Sequence, residues 1–118
     1  MNIIISKDAA ELGKNAAKFT AGKINESIRL NGEARMVVST GSSQFELFQA
    51  LIKEEVDWKK VEIFHLDEYI NLPVTHKASF RKYLYERFIN QIDVKMFHAV
   101  NTDGDIDKAI RSLTSEIK

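Results

Sequence analysis

The stretch Val61-Glu62-Ile63-Phe64-His65-Leu66-Asp67-Glu68-Tyr69-Ile70-Asn71-Leu72-Pro73 decides how the whole chain is read. It opens as a short apolar run of strand character. It then turns acidic at two adjacent carboxylates, Asp67 and Glu68, and closes in a loop that ends at Pro73. Open α/β sheets bind ligands just beyond the carboxyl ends of their strands, which gives an acidic pair there a functional reading. A plain reading stands beside it, a polar loop that terminates a strand. Successive residues of an extended segment point to opposite faces, so one carboxylate is expected to face a cleft and the other to brace the loop.

Working outward from this strand, the chain alternates. Ile3 to Ile5 is a short β-like run. Asp8 followed by Glu11 has the form of a helix N-cap with its reciprocal partner, and Leu12, Ala16, Phe19, Ile24 and Ile28 recur at helical spacing until Asn31-Gly32. Met36-Val37-Val38 is a second strand run. Ser43 with Glu46 predicts another capping box, opening a helix whose stripe is Phe45, Phe48, Leu51 and Ile52. After the central strand, Asn71 to Lys77 reads as loop. Ser79 can cap a helix that buries Phe80, Tyr83, Leu84 and Phe88. Lys95 to Val100 is a fourth strand candidate, and Asp105 opens a last helix with Ile106, Ala109, Ile110, Leu113 and Ile117 on one face. Strands separated by helices of this length predict βαβ units, an α/β domain with a mostly parallel sheet.

Composition narrows the function classes. The chain has 118 residues, 44% of them hydrophobic and 29% charged, as expected of a single globular domain. Seventeen basic residues balance seventeen acidic ones, so no net field favours nucleic acid or an anionic membrane as partner. Without Cys there are no disulfides or thiolate metal sites, a composition that suits a cytoplasmic setting. No apolar run approaches the roughly 20 residues that span a bilayer. The last helical pattern runs to Lys118 with no stop signal, and its apolar face needs a partner. The expectation is therefore the first part of a longer protein.

A second bend carries chemistry. Ser39-Thr40-Gly41-Ser42-Ser43 joins a strand to a helix start. Gly lets backbone approach a ligand, exposed amides attract phosphate, and hydroxyls add donors, although an ordinary capped turn has the same composition. A carboxylate at Asp67, on a neighbouring strand end, could abstract a proton from carbon beside a carbonyl or imine.

Thr40-Gly41-Ser42-Ser43, then Phe64-His65-Leu66-Asp67-Glu68-Tyr69 with Leu72-Pro73, His76 and Ser79-Phe80, together strongly resemble the glucosamine-6-phosphate deaminase (isomerase) family. The likeness runs along essentially the whole chain but covers only the N-terminal half of that family's domain. Asp-Glu-Tyr followed by Leu-Pro is its specific part, since the related phosphogluconolactonases usually carry Asp-Glu-Arg. The resemblance implies a three-layer Rossmann-like sheet with helices on both faces and a cofactor-free reaction on a small sugar phosphate. Glucosamine 6-phosphate would be opened, isomerised and deaminated to fructose 6-phosphate and ammonia. Asp67 matches the proton-abstracting residue, Thr40, Gly41, Ser42 and Ser43 match the phosphate loop, and Glu68 takes a supporting role. Subunit number stays open, a homo-oligomer included.

Departures bear on the detail. Asn71 stands where Gly is common, and Asn is the next best residue for a positive φ. Lys77 replaces a frequent Pro, and Ser42-Ser43-Gln44 replaces the common Gly-Ser/Thr-Pro. The family's second catalytic segment and its distal phosphate-binding basic residues are expected beyond Lys118. His65 reads as a strand residue making one hydrogen bond, and Arg81, Lys82 and Arg87 as a solvated basic face. Asp103-Gly104-Asp105 starts like a calcium loop but lacks the required Gly and Glu. Two alternatives remain: a non-catalytic sugar-phosphate sensor of the same fold, and a 6-phosphogluconolactonase-like hydrolase, which Tyr69 disfavours.

Overall fold

The computed structural model describes residues 1–118. Helix α1 (Ala9–Asn31) is followed by strand β1 (Ala34–Val38), helix α2 (Phe45–Leu51), strand β2 (Val61–His65), helix α3 (Phe80–Arg87), strand β3 (Met96–His98) and helix α4 (Ile106–Ile117). The strands form one sheet in the order β1-β2-β3, with both pairs parallel. Ala34 lies opposite Val61 and Val38 opposite His65, while Phe64 pairs with His98.

Side-chain alternation makes the two faces chemically different. Ala34, Val38, Val61 and Ile63 enter the core, where they meet Ala17, Ala21 and Ile24 of α1, Phe48 and Leu51 of α2, and Leu84 and Phe88 at α3. The other face carries Arg35, Glu62 and His98, with Arg35 3.3 Å from Glu62 and stacked over Phe64. Helix α4 sits over that polar face: Arg35 Nη1 donates to the Ile117 carbonyl at 3.0 Å and His98 Nδ1 lies 2.7 Å from Glu116. Layers of helix thus lie on both sides of the sheet, as the resemblance implies, and the strands are parallel, as the alternation predicts.

Local signals succeed where they mark helix ends. Asp8 accepts from the Glu11 amide, Ser79 from Lys82 and Asp105 from Lys108. The Gly32 amide closes α1 on the Ile28 carbonyl. The Glu11 carboxylate, however, accepts from the Lys7 amide, one residue earlier than a capping box requires.

Four expectations are corrected. Ile3 to Ile5 forms no strand; the three side chains are 66 to 91% exposed, because no neighbouring strand supplies hydrogen bonds there. The sheet accordingly has three strands. The buried stripe of α1 is Gly13, Ala17, Ala21 and Ile24, with Leu12 and Phe19 more than half exposed. Small residues win that face because α2 approaches so closely that a Cβ on Gly13 would stand 2.5 Å from the Glu46 Cβ. Ser43 and Glu46 form no capping box: Ser42–Gln44 is a 3₁₀ turn, and α2 begins at Phe45 without a side-chain cap. Finally, Arg81 is a core-side residue, 4% exposed, not part of a solvated face.

Candidate active site

Two bends leave the carboxyl edge of the sheet side by side. Strands β1 and β2 are adjacent and parallel, and the Leu66 amide donates to the Val38 carbonyl at 2.9 Å, one step past their last register pair. The backbone therefore brings Ser39–Ser43 and Leu66–Glu68 out of the same edge.

The first bend turns on Gly41, whose φ of 141° and ψ of 160° lie in a region that residues with a Cβ rarely adopt. The Gln44 amide closes it on the Gly41 carbonyl at 3.0 Å, and Gln44 Nε2 donates to Ser39 Oγ. Tyr83 ties it to α3, donating its hydroxyl to the same Gly41 carbonyl at 3.1 Å. Burial pushes the Tyr83 phenol up, which keeps that proton in place. The Ser42 and Ser43 amides carry no hydrogen bond within the protein, and the buried Thr40 Oγ1 has no partner either. Thr40, Gly41 and Ser42 line a cleft of about 260 Å³ together with Phe45, Tyr69, Lys77, Ser79 and Tyr83. Free amides, an unpaired hydroxyl and the ammonium of Lys77 suit an anion.

The second bend sends its two carboxylates into different surroundings, as alternation predicts, although neither lines the cleft. Glu68 turns inward, its side chain fully buried. It accepts from the Tyr69, Phe80 and Arg81 amides at 2.9 to 3.0 Å, from Ser79 Oγ at 2.8 Å and from Arg81 Nε at 3.2 Å. Burial alone would raise this carboxyl, but the Arg81, Phe80 and Tyr69 amides and the Ser79 hydroxyl hold it at about 2, far below its ordinary 4.5. It also sits at the N-terminus of α3, where the helix dipole favours an anion. Asp67, by contrast, is exposed at the sheet edge. Its loop contributes Tyr69 to the cleft wall, whereas Asp67 itself does not line that cleft. Asn71 has a φ of 58°, the positive-φ role expected of it.

Ser43 is exposed and lies outside the cleft lining, so the bend offers three of its four named residues there. His65, buried on β2, accepts from the Val100 amide at 3.4 Å through Nδ1, and its Nε2 has no partner. Burial lowers the pKa of this imidazole, against the upward pull of Glu68 and Asp67. Sequence reasoning did not find Lys77, Tyr69 or Tyr83 as cleft residues, nor Arg81 as a hub. Tyr69 was marked only as part of the Asp-Glu-Tyr motif and Lys77 only as a departure from a frequent Pro, while the capping Ser79 places α3 but not what its first turn touches.

The comparisons with known proteins bear on this geometry. A family model described as glucosamine-6-phosphate isomerases/6-phosphogluconolactonase matches residues 7–118. Glucosamine-6-phosphate deaminase of Histophilus somni (strain 2336) is 34% identical over 113 residues, 91% of this chain and 42% of that protein. The Dictyostelium discoideum protein of the same name is 33% identical over 116 residues, 91% of this chain and 43% of the relative. Among solved structures, a monomeric glucosamine-6-phosphate deaminase superposes with a TM-score of 0.84 at 24% identity, over 99% of this chain and 51% of the other. A 6-phosphogluconolactonase from Shewanella baltica OS155 does so with a TM-score of 0.79 at 24% identity, over 92% and 49%. The chain thus spans a little over two-fifths of those curated relatives and about half of the solved chains.

Proposed function

Because the chain belongs to the glucosamine-6-phosphate isomerase/6-phosphogluconolactonase family, we propose that the complete protein converts glucosamine 6-phosphate and water to fructose 6-phosphate and ammonia. The observation that carries this reading is the shared exit of the two bends, fixed by the pairing of Val38 with His65. An amide-lined anion site beside an exposed carboxylate is what the reaction needs. Thr40, Gly41 and Ser42, with Lys77, receive the phosphate. Asp67 takes the C2 proton of the opened amino sugar, leaving an enolamine. Return of a proton to C1 gives the ketose imine, and water replaces the nitrogen as ammonia. The neighbouring amino and carbonyl groups acidify the C2 proton, so a carboxylate suffices as base. Holding the phosphate turns the encounter into an oriented intramolecular step. Glu68 has no lone pair to spare for substrate and serves as the brace. The work belongs to amino-sugar catabolism in the cytoplasm, and self-association into a homo-oligomer is part of the proposal only as a state to be measured.

The test is ammonia release from glucosamine 6-phosphate by the complete protein, with Asp67→Asn as the diagnostic variant. Loss of a general base lowers kcat by about 10²- to 10⁴-fold, while phosphosugar affinity stays within about threefold of the parent. Parental turnover by the variant would sink the assignment of the base. Hydrolysis of 6-phosphogluconolactone without ammonia release would favour the lactonase reading, and phosphosugar binding without turnover of either would favour the sensor.

A further inference from the structure

We propose that Arg81 is the positioning residue of this site, a single guanidinium that ties the start of the acidic loop to its midpoint and, through them, sets the aim of Asp67. The inference rests on the deaminase reading for its kinetic consequence, but its geometry stands apart from it. Residues 66–79 connect β2 to α3 with no helix or strand of their own. Such long connections are mobile unless something ties them down.

Arg81 supplies the ties. Its Nε donates to Glu68, next to Asp67, at 3.2 Å, and its Nη2 donates to the Leu72 carbonyl midway along the loop at 2.8 Å. The same fork reaches across to the segment after β3: Nη1 donates to Asn101 Oδ1 at 2.7 Å, and Nη2 to Asp103 Oδ1 at 2.5 Å. Two further bonds run along the same seam, Thr102 Oγ1 to the Tyr69 carbonyl at 2.8 Å and the Asn71 amide to the Thr102 carbonyl at 3.3 Å. The Arg81 side chain is 5% exposed, whereas that of Asp103 is 40% exposed, so the hub is buried and its outer arm reaches solvent. Only a planar fork with several donors can serve four acceptors in these directions; an ammonium at the same place is a point charge and cannot. The loop that carries Asp67 and Tyr69 is thereby seated on residues 101–103.

The experiment compares Arg81→Lys and Asp103→Asn with the parent in the complete protein. Asp103→Asn is included because it leaves the buried Glu68–Arg81 pair intact and should fold even if Arg81→Lys does not. Amide hydrogen exchange is read first. Arg81→Lys should speed exchange at Tyr69 and Asn71 at least tenfold, and Asp103→Asn by about threefold, with the Leu66 amide, bonded to β1, unchanged. Kinetics are read second. Misaim by about 1 Å lowers rates by about 100-fold, so kcat should fall by about 10- to 100-fold in Arg81→Lys and by about threefold in Asp103→Asn, with KM within threefold. Parental exchange at residues 69 and 71 in either folded variant would overturn the clamp. So would a lowered melting temperature with parental kcat per folded molecule. A parent that releases no ammonia would overturn the deaminase reading alone, because exchange still decides whether Arg81 holds the loop.

Discussion

The two bends at the carboxyl edge of the sheet are held in opposite ways. The bend after β1 is short, turns on one glycine and leaves the Ser42 and Ser43 amides free. The bend after β2 runs from residue 66 to 79 and is stitched by a buried carboxylate that accepts five hydrogen bonds. The difference follows from what each can offer a substrate. Backbone amides bind an anion best when nothing else uses them, so the first bend gains from being left unpaired. A base must hold its direction, and an exposed side chain on a long loop does so only if the backbone beneath it is fixed.

The sharpest way to break that contrast is Glu68→Ala. It removes the five hydrogen bonds that Glu68 accepts and strands part of the buried Arg81 charge, a loss of about 3–5 kcal/mol in unfolding free energy. Urea denaturation would read it, and a change below 1 kcal/mol would show that the brace is not a stabilising element. Acid probes the same group without mutation. Its folded pKa, about 2, lies below the ordinary 4.5. The ionised form is therefore favoured by folding, and its contribution is fully present above about pH 4.5. It is lost as pH falls toward 2, at about 1.4 kcal/mol per unit, or on the order of 3 kcal/mol in all. In Glu68→Gln the stability curve should flatten over that window; an unchanged acid limb would assign the loss to other carboxylates.

The smallest effect belongs to the open bend. A Cβ at Gly41 meets nothing closer than Ser43 Oγ at 3.8 Å, so Gly41→Ala adds backbone strain without a clash. Strain of this kind amounts to about 1–3 kcal/mol. Relaxation of the bend should raise KM for the phosphosugar by about tenfold while kcat changes little. A fall in kcat at parental KM would mean that this bend, too, aims the reacting carbon.

Which parts were legible in the linear sequence follows from the range of the forces involved. Asp8, Ser79 and Asp105 each cap a helix through a bond spanning three residues, so a local pattern was sufficient to place them. Ser43 looked the same and did not cap, because Gln44 instead closes on Gly41 and Ser39. The split between Asp67 and Glu68 was foreseen from alternation, but which of them turned inward depended on Ser79 and Arg81, more than ten residues away. Arg81 itself read as solvated, since nothing beside it in the chain announces Asn101 or Asp103.

By itself the sequence determined the alternation of strands and helices, the parallel sheet and the family, because hydrophobic period, caps and a contiguous Asp-Glu-Tyr motif are local properties of the chain. Only the tertiary structure decided that Gly13, Ala17 and Ala21 form the inner stripe of α1, that Ile3 to Ile5 join no sheet, and that one arginine clamps the acidic loop. Those outcomes depend on which surfaces meet across the fold, and packing and buried charge act between residues that the sequence keeps far apart.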